Sequence, residues 1–574
     1  MAFLRALLLV TLGAMVPAVR AQSAPSADEV SRLAAQALRA WVDDYERGRL
    51  APHGVLRSGV GLQPSYVAYA RRGGFVEERD HDRLNHLDVL QKVLVHAEHH
   101  PSADVADALL ALAATGLEAA FLDHEALQLR DLGWHALLRS DHRGGWFVIL
   151  RAAAGGRVPL VGDDSEDPGR DGLAVGPARR VAALRLLGQR ALPVFRSTIE
   201  AALTDPDPRV RLGAVEALDL QRRKESLPRV VQVLESERHP VVAQALVRLL
   251  LALLRAEPGP DADVRAAALQ VALRRIGQAG WRTDMELLDL VEAFPSKAVL
   301  PAVLDALELA DRPPDKLVAA VNEQASPLLR QRAAGLLRAM TGALLPDDDP
   351  AAWRSFWQAE RDRIVVPERL VQDRPEATRA QFFGVPVTGR HIVFVIDTSG
   401  SMDELAAGTE GERERRRGGE RTRLRAAKEQ LAAAVQAMPD ESTFEVVTFA
   451  GEAKRWTGAA VRSGSRSLRS LTELTSRWRA HGGTNLYAAL AEALGFERQR
   501  WADPGTGKVD EVFVLSDGEP TAGPVQDGDE LLRLCTEANK YARIRIHAVF
   551  TGSGPGGELL RRLAEQNGGV FVQR

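Results

Sequence analysis

The sequence predicts a multidomain chain, with an all-α helical array in its N-terminal half and a C-terminal α/β domain built on a mainly parallel sheet. Three observations carry this expectation. The 574 residues exceed what a single core supports. From residue 178 to 345 a helical pattern recurs at intervals of about 30 residues, the spacing of stacked helix pairs. From His391 onward, apolar β-branched runs alternate with helical segments, as in a parallel sheet covered on both faces.

The first element is a targeting segment over residues 1–21. Arg5 precedes the apolar run Ala6 to Val16, and Val19-Arg20-Ala21 offers small residues for cleavage. No later apolar run is long enough to cross a bilayer; the best, Ala245 to Leu254, is short and interrupted by Arg248. An exported protein with no transmembrane segment after signal removal follows, periplasmic, cell-envelope or secreted. The 74 basic and 77 acidic residues nearly cancel, to a formal net charge of −3, so nucleic acid is not an expected partner. Cys535 stands alone, among neighbours that suggest the buried face of a helix.

Residues 22–155 read as a helical domain, in which Val30, Leu33, Leu38 and Trp41 form a helical stripe and Ala106 to Leu122 a further helix. The polar stretch 156–177, with Asp163 to Gly169, is a linker. Over 178–345, VAALRLLGQ from Val181 and GAVEALDLQ from Gly213 repeat one pattern, and Asp207-Pro208 supplies a cap and a first-turn proline. This stretch resembles HEAT-type repeats, whose units bury their apolar faces by stacking on neighbours. Within 346–388, Trp353 and Trp357 sit four apart and can pack on one helix face as a docking element closing the array.

The final domain spans 389–574. His391 to Ile396 is a central strand ending in Asp397-Thr398-Ser399-Gly400-Ser401. Helices are predicted at 424–438, 468–478, 485–496, near 528–541 and at 557–566. Strands are predicted at 443–449, 511–515, 544–550 and 570–572. Ligands bind such sheets where loops leave the carboxyl ends of the strands. Oxygen-bearing residues gather there: Asp397, Ser399 and Ser401 after the first strand, Thr484 after Gly482-Gly483, and Asp517 after the strand from Glu511. Two carboxylates and three hydroxyls from three distant segments make a hard-oxygen site suited to Mg²⁺ or Mn²⁺, with Ca²⁺ as a further candidate.

The segments DTSGS, GGTNL and LSDGEP resemble, in order and spacing, the metal-ion-dependent adhesion site of von Willebrand factor type A domains. The resemblance covers about a third of the chain and implies a Rossmann-like fold. It also implies that Ser399 and Ser401 ligate directly, Thr484 directly or through water, and Asp397 and Asp517 mainly through water. A cation held that way stays poorly neutralised and accepts a partner's Asp or Glu carboxylate. The expected function is therefore metal-dependent protein binding without catalysis, the helical repeats adding a second surface. Oligomeric state is not legible.

Asp403 to Arg423 reads as an insertion with an arginine-rich run beside the metal residues, a mobile solvated loop in the first place, or a partner-contact arm whose arginines pair with acidic groups. Nine of thirteen histidines lie upstream of residue 150, and His96 and His100 have i, i+4 spacing, but no HExxH accompanies them. Gly505-Thr506-Gly507-Lys508 fails the phosphate-loop pattern, and Gly552 to Gly557 lacks the rest of a dinucleotide fingerprint. Two alternatives keep the C-terminal domain as a targeting or assembly module only: an enzyme in the histidine-rich region, or a component resembling metal-chelatase assemblies.

Overall fold

A computed structural model describes residues 26–51, 55–56, 63–72, 86–117, 124–156, 175–311, 326–370, 380–406, 421–440, 442–456, 459–500, 503 and 509–574. The leader, the 163–169 loop, the arginine-rich run and the Gly505 to Lys508 turn lie outside the described residues.

The N-terminal part is helical: α1 Ala27–Glu46, α2 Pro64–Arg72, α3 His86–His99, α4 Ala103–Ala113, α5 His124–Arg139 and α6 Arg143–Ala153. A short antiparallel pair, β1 Leu50–Ala51 and β2 Val55–Leu56, follows α1. The predicted Leu33, Leu38 and Trp41 stripe is the buried face of α1. The helix predicted from Ala106 to Leu122 ends at Ala113 instead, its last carbonyls already taken by Ala114 and a tight turn beyond.

The array continues through α7 Pro177–Arg190, α8 Arg196–Ala202, α9 Pro208–Gln221, α10 Leu227–Ser236 and α11 Pro240–Arg255. It ends with α12 Ala262–Leu273, α13 Trp281–Ala293, α14 Leu300–Asp311, α15 Pro327–Thr341 and α16 Pro350–Glu360. Asp207 caps α9 through its carboxylate and Pro208 opens the first turn, as the sequence predicts. A Cβ on Gly188 would lie 2.6 Å from Ala217 Cα, so α7 and α9 cross at backbone contact. One apolar cluster runs from Leu33 to Trp353. Trp353 closes it: the indole is 1% exposed and donates to Pro346 O at 2.7 Å. Trp357 is only half-buried, so the docking role falls on Trp353.

The C-terminal domain begins with a hairpin of β3 Gln381–Phe382 and β4 Val385–Pro386. Its helices are α17 Arg423–Ala437, α18 Ser465–Ser476, α19 Leu486–Leu494, α20 Gly528–Asn539 and α21 Gly556–Gln566. The main sheet has the order β11-β10-β9-β5-β6-β7, with β8 also on β6. These strands are β5 His391–Asp397, β6 Thr443–Phe449, β7 Ala453–Arg455, β8 Val461–Arg462, β9 Glu511–Ser516, β10 Arg545–Phe550 and β11 Phe571–Gln573. Pairing is parallel from β11 to β6 and antiparallel for the short β7 and β8.

Alternation along β5 explains the continuous apolar run. Val393 and Val395 face one cluster with α19, α20 and α21, while Ile392, Phe394 and Ile396 face another with α17. The chain leaves β5 for β6 on one side and reaches β9 on the other. The strand order therefore reverses between β5 and β9, which opens a crevice at their carboxyl ends.

The two halves meet at the opposite pole. Arg282 of α13 donates to Ala542 O at 2.6 Å and Val509 O at 3.3 Å, in the segments that lead into β10 and β9. Lys540 and Tyr541 reach Glu216 of α9 at 2.7 and 2.8 Å, and Arg543 reaches Glu286 and Asp289 of α13 at 2.8 and 3.0 Å.

Candidate metal centre

Asp397 is the last residue of β5 and Asp517 follows the last residue of β9, so both carboxylates open at the switch point. Asp397 accepts the Ser399 backbone N–H at 2.7 Å on one oxygen and the Ser516 hydroxyl at 2.6 Å on the other. The Ser399 and Ser401 hydroxyls lie 3.2 Å apart, and Ser401 donates to Asp517 Oδ1 at 2.8 Å. Four of the five sequence-predicted residues thus form one hydrogen-bonded cluster.

Thr484 is brought in by its loop. Gly400 N donates to Gly482 O at 3.1 Å, and His481 N donates to Thr398 O at 2.8 Å, which ties the Thr484 loop to the serine loop. On its other side Thr484 N donates to the Thr521 hydroxyl at 2.9 Å, while Thr521 N donates back to Thr484 O. Gly482 supports this approach with φ +72°, a left-handed conformation open to glycine. The helix predicted at 485–496 is α19, which begins at Leu486 with Asn485 as its cap, accepting from Ala488 N at 3.0 Å, so Thr484 stands in the loop before it.

Asp397, Ser399, Thr484 and Asp517 are all buried. Burial pushes the Asp397 carboxyl up to about 6, against the hydrogen bonds from Ser516 and Ser399 that pull it down. Asp397 has no ion-pair partner among the described residues, whereas Asp517 Oδ2 accepts from Arg423 at 2.9 Å. A buried carboxylate without a compensating cation is costly, and a hard cation among these oxygens would relieve that cost. The donor set therefore fits a divalent cation.

Two functional neighbours are not singled out by the sequence. Ser516 belongs to the LSDGEP segment, one position before Asp517, and its role as a donor to Asp397 could have been inferred from adjacency. Arg423 sits in no motif; only the path of the chain, which pairs Leu405 with Thr422, carries it to Asp517. Elsewhere, the His96 and His100 rings stack at 4.7 Å, and no group of three metal-ligating His, Cys, Asp or Glu exists among the described residues. Cys535 is a core thiol, pushed up to about 12 by burial.

A parallel sheet with an oxygen-lined switch point, joined to a helical array, defines a two-part chain. Family models describe both parts: von Willebrand factor type A domain matches residues 417–572, and HEAT repeats match residues 177–251. The chain therefore carries a von Willebrand factor type A domain preceded by helical repeats. The matched stretch includes Thr484 and Asp517; Asp397, Ser399 and Ser401 lie before it.

Similar curated proteins include mouse inter alpha-trypsin inhibitor, heavy chain 4, 28% identical over 141 residues, 24% of this chain and 13% of that one. Human inter-alpha-trypsin inhibitor heavy chain H6 is 26% identical over 192 residues, 33% of this chain and 13% of that one. The matched region thus spans 13% of the length of each. Among solved structures, a von Willebrand factor type A protein from Catenulispora acidiphila is 22% identical, with a TM-score of 0.25, over 32% of this chain and 38% of that one. Proximal thread matrix protein 1 from the mussel byssus, with a zinc-occupied MIDAS motif, is 20% identical, with a TM-score of 0.22, over 32% and 41%.

Proposed function

We propose that the C-terminal domain is a non-catalytic binding module of an exported protein, and that it holds a divalent cation, Mg²⁺ or Mn²⁺, at the crevice. Ser399, Ser401 and Thr484 offer hydroxyl oxygens to the cation, and Asp397 and Asp517 orient and balance them through hydrogen bonds. With most direct donors neutral, a bound cation would offer an open position to an Asp or Glu carboxylate of a protein partner. The helical array supplies a second interaction surface.

One observation supports this above others: a cluster of two buried carboxylates and two serine hydroxyls at a sheet switch point, in which Asp397 has no compensating cation among the described residues. Calorimetric titration of the full chain with Mg²⁺ and Mn²⁺ tests it, beside the Ser399→Ala/Ser401→Ala variant. One-to-one binding by the wild type and none by the variant is expected. Absence of binding by the wild type would remove the metal from the function.

A further inference from the structure

Beside the crevice lies a half-open cavity of about 330 Å³. Its lining includes Arg421, Arg423, Arg574, Gln430 and Thr551, and no Asp or Glu side chain among the described residues. Three arginines therefore line one space, of which Arg574 also donates to Phe383 O from Nε at 3.2 Å and from Nη2 at 2.8 Å. The acids that pair with two of them contribute nothing to its wall: Arg421 meets Glu429 at 2.9 Å, and Arg423 meets Asp517 and Glu404, each at 2.9 Å.

Two polar groups on this wall have no partner among the described residues. Arg423 spends Nη1 on its acids and on Ser401 O, and its buried Nε is left without one. The hydroxyl of Thr551, a residue 6% exposed, also has none. Thr551 follows β10, and its backbone N–H donates to Ser516 O at 3.1 Å, so the cavity adjoins Asp517. Buried donors with no partner in the chain can take an acceptor from outside it, and guanidinium groups match a carboxylate in geometry as well as charge.

We propose that this cavity is a second carboxylate subsite, which takes an acidic side chain of the same partner segment whose other carboxylate sits at the crevice. The assignment of the partner rests on the metal-dependent reading above; the affinity of the cavity for a carboxylate does not. A partner would then present two acidic residues close together, and the paired subsites would favour it over one with a single carboxylate.

Hexaglutamate peptide serves as the probe, titrated calorimetrically into the full chain in Mg²⁺ and again in chelator. The variant Arg421→Gln/Thr551→Val spares every residue of the crevice, and Thr551→Val removes a hydroxyl that bonds nothing. In Mg²⁺ this variant is expected to bind the peptide about tenfold more weakly, with its affinity for Mg²⁺ itself unchanged. In chelator the wild type and Ser399→Ala/Ser401→Ala are expected to retain the same weak binding, which Arg421→Gln/Thr551→Val loses. Equal peptide affinity for Arg421→Gln/Thr551→Val and wild type in both media would overturn the subsite, as would loss of Mg²⁺ affinity in that variant. Failure of the metal reading would show separately, as absence of Mg²⁺ binding by the wild type with the chelator arm intact.

Discussion

Single carboxylates carry the sharpest consequences of this fold, because burial gives each a distinct charge state. Asp397 has no cationic side chain beside it among the described residues, so its replacement should remove the proposed metal binding without dismantling the domain. Asp397→Ala is expected to lose the rise in melting temperature that saturating Mg²⁺ gives the wild type, by mass action on the folded state. A retained Mg²⁺ shift in the variant would contradict the site. Asp284, on α13, behaves differently. Burial pushes its carboxyl up to about 7, and the hydrogen bond from Gly277 N at 2.9 Å only partly opposes this. The folded chain holds a proton there that the unfolded chain releases from about pH 4, so stability falls as pH rises from about 4 to 7. Asp284→Asn cannot ionise. Its gain over the wild type should be about 2–3 kcal/mol larger at pH 8 than at pH 5 in denaturant unfolding. A pH-independent difference would refute neutral burial. Residues of this kind were unequally legible. Asp397, Ser399, Ser401, Thr484 and Asp517 announce themselves because each abuts a strand end or a glycine turn. Arg423 does not, since Asp517, its buried partner, lies 94 positions away, and Asp284 does not, since burial rather than a motif sets its state.

Whole elements were readable where they are long and apolar. The β5 run and the capped start of α9 follow from periodicity and capping chemistry, and the structure reproduces both. The strands that escaped are two or three residues long: β1, β2, β3, β4, β7 and β8 lie in short antiparallel pairs or on a sheet edge, too short for alternation to register. The paired tryptophans show a finer limit. Spacing of four puts Trp353 and Trp357 on neighbouring positions of α16, yet only the first enters the core, and a helical stripe does not say how far it tilts inward. Trp353→Ala should cost about 3–5 kcal/mol, leaving a cavity and an unpaired Pro346 carbonyl. Trp357→Ala should cost clearly less, and equal losses in thermal unfolding would contradict the observed asymmetry. Close helix crossing sets a second test. Gly188→Ala places a methyl against the α9 backbone and should destabilise by about 1–3 kcal/mol. A neutral effect would mean that α7 and α9 part easily.

On the scale of the molecule, the helical array grips the von Willebrand factor type A domain at the amino ends of β9 and β10, at the opposite end of these strands from the crevice. Nothing in the sequence shows this joint, because its contacts link residues more than 200 positions apart. Its chemistry is ionic and partly buried. Burial works against the Glu216 carboxylate, but Lys540 and Arg185 outweigh it and hold it below the usual carboxylate range. Arg543 is likewise shared by Glu286 and Asp289. Truncating one partner of such a cluster leaves the others partly buried and uncompensated, a larger loss than a fully exposed ion pair would give. Glu216→Ala combined with Arg543→Ala should therefore uncouple the halves. Calorimetric unfolding should resolve two transitions, of which Mg²⁺ raises only the one belonging to the C-terminal domain. A single transition that Mg²⁺ still shifts as a whole would mean that apolar contacts, not these charges, bind the array to the domain.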